Sequence, residues 1–415
     1  MTLTLSKLGS QLEGMGQELA AREGKYRDLL ALALQWLQHC SDDYEALRQR
    51  AQAAREKRWQ GAIPTDEPLL TTHPLPPHPP QATLIAADGS QVEPDRHGVA
   101  LYALVNIGSI VFAHGTGQRP RVESDPQLFY RDEDLYEDRR LLQGNLLDIR
   151  RDTAELGKLA EMAHAAENQP LLTLTDGTLL LWVLEETPPA RKQARLRQYL
   201  AHLDSLKSAQ AAVAAFTSRP RHAEVINLLH LASLGDNPTP EGEHTGSPLH
   251  EKNPLEGLTD RALFQYLLPT GERSTLFVSA AAINAEYRRH QADQEICFFY
   301  LNVGLDERRA EVARVELPRW AATASCSYQP GPPWQGDYQL IDFIQAAIHE
   351  QCRVSRGYPY ILARAHELAL VSVEEQRDLE MRVIAAMARH GLDARPSEKA
   401  RLKELTGGGK RRHKL

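Results

Sequence analysis

Residues 82–90 read ATLIAADGS, and residues 170–182 read PLLTLTDGTLLLW. Each is a short apolar run that meets an Asp-Gly pair, the pattern of a buried strand ending in a turn. Glycine at that point lets the chain reverse sharply and leaves room beside the carboxylate. Working outward, GVALYALVNIGSIVFAHG (98–115) is rich in Val, Ile, Leu and Tyr, with a break near Asn106–Gly108. It reads as two strands, which with the first run make an antiparallel meander. A long polar helix is predicted over roughly 132–167, where Leu135, Leu141, Leu142, Leu146, Leu147 and Leu156 recur at helical spacings. The order through 182 is therefore β-β-β-α-β.

On the N-terminal side, Leu8, Leu12, Met15 and Leu19 begin a helical pattern that runs to about residue 60. Five prolines in TTHPLPPHPP (71–80) cannot continue a helix and favour an extended linker. On the C-terminal side, 188–216 returns to a helical pattern, and SRPRHAEVINLLHLASL follows. Residues 235–257 form a polar, Pro/Gly-rich loop. EICFFYLNVG (295–304) and ARVELPRW (313–320) read as strands. QPGPPWQG (329–336) is a turn cluster, and DYQLIDFIQAAIHEQCRV and EEQRDLEMRVIAAMARHGL are helices. The expected organisation is an N-terminal helical arm (1–70), a Pro-rich linker (71–81), an α/β core (82–375), a C-terminal helical segment (376–406) and a flexible basic tail (407–415).

Composition narrows the function. The 415 residues are 42% hydrophobic and 25% charged, which suits a globular chain with a sizeable core. Aromatics at 6% argue against a broad aromatic carbohydrate groove, and a net charge of −7 excludes a histone-like polycation. A local basic groove on such a chain can still track phosphates. Cys40, Cys297, Cys326 and Cys352 show neither CxxC pairing nor zinc-finger spacing and read as reduced thiols. There is no apolar run of membrane-spanning length and no signal-peptide pattern at the N-terminus, so a cytoplasmic location without membrane contact is expected. No GxxxxGK[ST] occurs, so the chain is not itself a P-loop motor.

The acidic residues matter by position. Asp88 and Asp176 end two strands, Glu155 and Glu161 lie on the long helix between them, and His366 lies in the late helical stretch ILARAHELALV. Acid on the first strand, acid on the first helix, acid on the fourth strand and Asp or His on a late helix is the ribonuclease-H-like arrangement. Phosphodiester hydrolysis by this route uses two divalent cations roughly 3.5–4 Å apart. Hard cations such as Mg²⁺ or Mn²⁺ need oxygen ligands from several elements, and a His ligand shifts preference toward Mn²⁺. Each signal has a bland reading alone: Asp-Gly is usually a turn, and a helix Glu is usually a solvated face.

Taken together, AADGSQ (86–91), LTDGTLLLW (174–182), SRPRHAEVINLL (218–229), TDRALFQYLLPTGERSTLF (259–277) and YPYILARAH (358–366) resemble the NurA family of DNA-repair nucleases, which work with the HerA helicase-translocase. The matching stretches run in the family's order across roughly 85–370. The resemblance implies a ribonuclease-H-like core and a homodimer around a DNA channel. It also implies Mn²⁺-dependent 5′-to-3′ exonuclease activity on single- and double-stranded DNA, with single-strand endonuclease activity. Residue by residue, Asp88 and Asp176 match the two metal-binding aspartates, and Tyr358 and His366 match the C-terminal Tyr and His, the His as a metal ligand. Glu155, four residues after Arg151, resembles the family's Arg-x-x-x-Glu. Glu161 lies closer to Asp176 but points to another face, about 600° of helix rotation away. Glu155 is the preferred ligand.

Arg219, Arg221, Arg261 and Arg273 are candidate phosphate contacts, because the guanidinium fork matches phosphate oxygens. Lys410, Arg411, Arg412 and Lys414 in the tail could touch DNA or a partner. The resulting expectation is a metal-dependent DNA nuclease of end resection. Asp88, Glu155, Asp176 and His366 would hold two Mn²⁺ ions (Mg²⁺ being the alternative), and a HerA-type hexameric helicase would feed it DNA. Its rivals are a catalytically silent DNA-binding or helicase-regulating subunit, and a ribonuclease-H-like enzyme acting on RNA or RNA–DNA hybrids.

Overall fold

The computed structural model describes residues 5–137, 139–166, 170–187, 189–235, 252–306, 310–328 and 336–393. Most of the 235–257 loop, most of the 329–336 turn cluster, residues 394–406 and the basic tail lie outside these. In chain order the elements begin α1 (Gly9–Cys40), α2 (Tyr44–Glu56), β1 (Ala62–Pro64), β2 (Thr72–His73), β3 (Ala82–Val92), β4 (Ala103–His114) and β5 (Arg121–Phe129). There follow α3 (Asp132–Leu135), β6 (Tyr136–Glu137), β7 (Arg140–Leu141), α4 (Asn145–His164), β8 (Leu171–Asp176), α5 (Pro189–Ser208), β9 (Ala212–Thr217), α6 (Glu224–Ser233) and α7 (Asp260–Leu267). The remainder is β10 (Arg273–Ser274), β11 (Phe277–Ser279), α8 (Ala282–His290), β12 (Ile296–Asn302), β13 (Val312–Pro318), α9 (Arg319–Thr323), β14 (Ser325–Tyr328), β15 (Gly336–Gln339), α10 (Leu340–Ser355), α11 (Tyr360–Ala369) and α12 (Val373–Arg389).

The chain divides into two compact units: residues 1–79, 176–180 and 212–360 form one, and residues 80–175, 181–211 and 361–415 the other. The second unit carries a mixed sheet in the order β8-β3-β4-β5 with helices against it. β3 pairs antiparallel with β4 along its whole length, Ala82 opposite His114 through Val92 opposite Leu104. It pairs parallel with β8, Thr83 opposite Leu171 through Ala87 opposite Thr175. Residues Ala82–Ala87 are all buried, as a central strand covered on both faces requires. α4 lies on β3 through the buried stripe Ile149, Thr153, Leu156, Ala160 and Ala163, spaced by four and three. Each fully buried Leu or Ile of this layer contributes roughly 1.5–3 kcal/mol.

The order β-β-β-α-β stands, with different boundaries: β3 runs on through Asp88-Gly89 to Val92, still paired with β4, so that Asp-Gly pair neither ends the strand nor turns the chain. Residues 98–115 hold one strand, β4, not two, and Asn106–Gly108 lies inside it. Gly108 is there because α11 presses its backbone onto the strand: a Cβ at 108 would lie 2.4 Å from the Ala365 carbonyl oxygen. The third meander strand is β5, whose RVESDPQLF is mostly exposed and carries Pro126, as an edge strand tolerates. It lacks the apolar run that would have announced it. The helix predicted over 132–167 is the single turn α3, the hairpin β6–β7 and then α4. Gly144, at φ +54°, precedes the first turn of α4, and Leu142 N–H donates to the Leu135 carbonyl at 2.7 Å to close the hairpin.

In the first unit an antiparallel sheet runs β1-β11-β12-β13-β9, with β10 joining β12 to β2. Here the helix predicted through 216 is corrected. AVAAFT is β9, paired with β13 with Ala215 opposite Glu316. Alanine favours helix by propensity, but a buried slot beside a strand overrides that preference. α1 packs on α6 and α7, burying Ala33 and Leu37, while Leu12, Met15 and Leu19 on its earlier turns are exposed. The Pro-rich stretch lies along this unit: β2 pairs with β10, and Gln345 Nε2 donates to the carbonyls of His73, Pro74 and Gly271. Among the described residues no helix is long and apolar enough to cross a membrane.

Candidate functional site

Three of the residues singled out in the sequence converge in the second unit. Asp88 sits where β3 emerges from its buried stretch. Its Oδ1 accepts from the Gly89 N–H at 2.9 Å, and its Oδ2 meets His366 Nδ1 at 2.7 Å. With the aspartate ionised, Nδ1 carries the proton and donates, which leaves the His366 Nε2 lone pair as the ligating nitrogen. The imidazole side chain is 66% exposed.

His366 reaches this place because α11 is clamped at its C-terminal end. Asn106 Nδ2 donates to the carbonyls of Leu368 at 3.2 Å and Ala369 at 2.8 Å, and Ser90 Oγ donates to the latter at 2.5 Å. Those carbonyls belong to the last turn, where no intrahelical donor remains. Ser124 Oγ donates to Asn106 Oδ1 at 2.9 Å and fixes the amide in turn. Asn106 was missed as a functional residue; the apparent break at Asn106–Gly108 was its signal, marking helix docking and not a turn.

Glu155 and Glu161 take opposite environments. The Glu155 side chain is 12% exposed, and its Oε1 lies 2.6 Å from the position a Cβ at Gly89 would occupy. The Glu161 side chain is 71% exposed and pairs with Lys158 at 3.5 Å. α4 therefore turns Glu155, and not Glu161, toward the Asp88–Gly89 backbone. Arg151 lies 3.4 Å from Glu155 Oε1 and bonds Asp152 at 2.8 Å. Asp148, Asp152 and Glu155 share one face at spacings of four and three, a cue that reading glutamates alone overlooked. Burial pushes the Asp152 carboxyl above its ordinary range; the Arg151 charge opposes this, and the charges of Asp148 and Asp88 add to it.

Asp176 is the last residue of β8 and is exposed. Ala87 stands opposite Thr175 in the parallel pairing, and the next residues along the two strands are Asp88 and Asp176. In the first unit Tyr358 packs edge-on against Phe216, ring centroids 5.7 Å apart. It lines a cavity of about 540 Å³ with Arg219 and Arg356. Arg219 is exposed and bonds Glu311 at 3.0 Å, Arg261 lies 3.9 Å from the same carboxylate, and Arg221 is exposed. Arg273 departs from expectation. It is 4% exposed, lies over the Phe299 ring and pairs with Asp342 at 3.5 Å, so it is a packed structural arginine with no face for a phosphate.

Two carboxylates and an imidazole from a strand and two helices are the donors a borderline divalent cation takes, and their chemistry fits one. Among the described residues, no three Asp, Glu, His or Cys side chains are already gathered closely enough to hold a metal ion. Glu155 lies 3.4 Å from Arg151, so binding would exchange that contact for a metal bond, while Asp88 Oδ2 keeps His366 oriented.

The second unit's mixed sheet, with a carboxylate–imidazole pair on its central strand β3 and a helix glutamate beside it, defines an α/β protein with a candidate divalent-metal centre. The NurA domain model matches residues 82–371, and the chain belongs to the NurA family. It is similar to the crystal structure of the NurA nuclease from Sulfolobus solfataricus at 13% identity, covering 91% of this chain and 99% of that one, with a TM-score of 0.44. It is similar also to a NurA structure with manganese, at 10% identity, 84% and 98% coverage and a TM-score of 0.41. A third, NurA bound to dAMP and manganese, gives 12% identity, 81% and 92% coverage and a TM-score of 0.34. No curated protein matches the chain.

Proposed function

We propose that this chain is a divalent-metal-dependent DNA nuclease built on a ribonuclease-H-like arrangement. The observation that carries the reading is the 2.7 Å contact between Asp88 and His366, beside the inward-turned Glu155, in a chain of the NurA family. Asp88, Glu155, Asp176 and His366 are the ligands, with Mn²⁺ the expected ion, Mg²⁺ its alternative and two ions the expected number. Bound metal supplies the Lewis acid and activated water that phosphodiester hydrolysis needs. The chain's own part is to orient. Asp88 fixes the His366 tautomer, Asn106 and Ser90 fix the helix that carries it, and Arg151 offsets the acidic face of α4. Arg219, Arg221 and Arg261 are phosphate contacts, and Tyr358 lies beside the substrate.

The family extends the proposal. The substrate is single- and double-stranded DNA at broken ends, degraded 5′-to-3′ with some single-strand endonuclease cutting. The working form is a homodimer fed by a HerA-type hexameric helicase in the cytoplasm, as part of double-strand break repair. The test is a gel assay with end-labelled single-stranded DNA, duplex, RNA and hybrid, with Mn²⁺, Mg²⁺ or EDTA, alongside Asp176→Ala. Mn²⁺-dependent DNA cleavage lost in the variant supports the reading. Cleavage of RNA or hybrid alone would reassign the substrate. DNA binding without cleavage, even with the helicase and ATP present, would make the chain a non-catalytic subunit.

A further inference from the structure

The turn that follows Asp176 is held by a buried charge network that the sequence did not single out. Gly177 takes φ +88°, so the chain leaves the strand through the left-handed region and the backbone of this turn sets the direction of the Asp176 side chain. The Gly177 N–H donates to the Phe216 carbonyl at 3.0 Å, and Thr217 Oγ1 donates to the Gly177 carbonyl at 2.5 Å. On the far side a single carboxylate oxygen, Glu316 Oε2, accepts from Thr178 Oγ1 at 2.6 Å and from the Leu179 N–H at 2.9 Å. Tyr287 Oη donates to the Leu179 carbonyl at 3.0 Å.

Glu316 is fully buried on β13. Its other oxygen, Oε1, accepts from Arg314 Nε at 2.8 Å, and the Arg314 guanidinium, also fully buried, lies 3.6 Å from the centroid of the Phe298 ring. Residues 314 and 316 project from the same face of the strand. Arg314 Nη2 also lies 2.9 Å from Glu224 Oε1; charges taken out of water in this way cost more than well-packed apolar residues would, so such a network is weak as a source of stability and is of use where it fixes a geometry. Here the free oxygen of the pair is spent entirely on the two residues after the Asp176–Gly177 turn.

We propose that Glu316, oriented by Arg314 and acting through Thr178 and Leu179, is the positioning residue of Asp176. The proposal rests on the reading of Asp176 as a metal ligand. Metal ligands must be held to within about half an ångström, and contacts one shell out set that precision.

The experiment is Mn²⁺ binding to the full chain without DNA, read from the electron paramagnetic resonance signal of free Mn²⁺. The variants are Thr178→Val, Thr178→Ser and Asp176→Asn. Thr178→Val removes the hydroxyl that donates to Glu316 and accepts from the Leu180 N–H at 3.0 Å, and it keeps the buried Arg314–Glu316 contact, so it avoids the unfolding risk of changing Glu316 itself. Thr178→Val should weaken Mn²⁺ binding roughly tenfold, and Thr178→Ser, which keeps the hydroxyl, should restore it. A merely structural hydroxyl would lower the melting temperature and leave the affinity of the folded protein alone. If Thr178→Val binds Mn²⁺ like the wild type while Asp176→Asn does not, the positioning role is wrong and the metal-ligand reading stands. If Asp176→Asn binds like the wild type, the metal-ligand reading falls and the positioning role with it. Should Thr178→Val fail to fold, Thr178→Ala, which removes the same hydroxyl, takes its place with the same two outcomes.

Discussion

Asp88 Oδ2 and His366 Nδ1, 278 residues apart in the chain, stand 2.7 Å apart in the folded protein. The contact joins the middle of a central strand to the face of a late helix, and it fixes which imidazole nitrogen is left to bind a ligand. Its removal should separate activity from stability. His366 is largely exposed, so His366→Ala forfeits little buried surface. Its melting temperature should stay within a few degrees of wild type while Mn²⁺-dependent cleavage falls by roughly 100-fold. Unchanged cleavage in both His366→Ala and Asp88→Ala would sink the site.

Gly89 is the cheapest place to displace Glu155. An alanine Cβ there would lie 2.6 Å from both Glu155 Oε1 and Arg151 Cγ, atoms of flexible side chains that must move aside. Gly89→Ala should therefore cost about 1 kcal/mol or less in stability yet lower Mn²⁺ affinity several-fold. Chemical denaturation and metal titration of the same preparation check the two halves.

The two helix glutamates can be told apart directly. Glu155→Gln should lose metal-dependent cleavage. Glu161→Gln removes only a surface pairing with Lys158, worth at most about 1 kcal/mol, and should cleave normally. The reverse result in side-by-side assays would reassign the ligand.

Arg219 and Arg273 should differ in kind. Arg219→Ala should reduce the salt dependence of DNA binding by about one unit of slope. Arg273→Ala should leave that slope alone and destabilise the fold by about 1–3 kcal/mol, because it removes a buried, stacked side chain. Fluorescence anisotropy at several salt concentrations, with a urea melt, distinguishes them.

His222 gives a pH signature. Burial, together with the Arg314 charge, holds its imidazole down to about 4, against the pull of Glu316. The unfolded chain, with an ordinary value near 6.5, binds the proton first. The stabilisation is thus fully present above about pH 6.5 and is lost as pH falls toward 4, on the order of 3 kcal/mol in all. His222→Gln should flatten that part of the curve of melting temperature against pH; an unaltered slope would refute the assignment.

Much of this was legible in residue order. The buried strand ATLIAADGS was recognisable from six consecutive apolar or small residues, but the turn expected at Asp88-Gly89 is not there, because pairing with β4 carries the strand on to Val92. α10, α11 and α12 were recognisable from helical periodicity. The edge strand β5 was not, because a strand with exposed faces carries no apolar pattern. β9 was not, because an alanine-rich run states a helical preference that only a neighbouring strand can overrule. The third strand of the meander was thus counted correctly and placed differently, and β9 was not counted as a strand.

Residue order alone established the residue types of the site and their attachment: carboxylates on strands, a glutamate on a helix, a histidine on a late helix, and membership of the NurA family. Local chemistry and periodicity carry that information over a few residues. Tertiary structure decided which glutamate faces Asp88 and Gly89, that Arg273 is a core residue, that Asn106 clamps the His366 helix, and that Glu316, held by Arg314, reaches the turn after Asp176. Each of these depends on contacts between residues tens to hundreds of positions apart, and direction and burial at that range are set by packing, which no local pattern records.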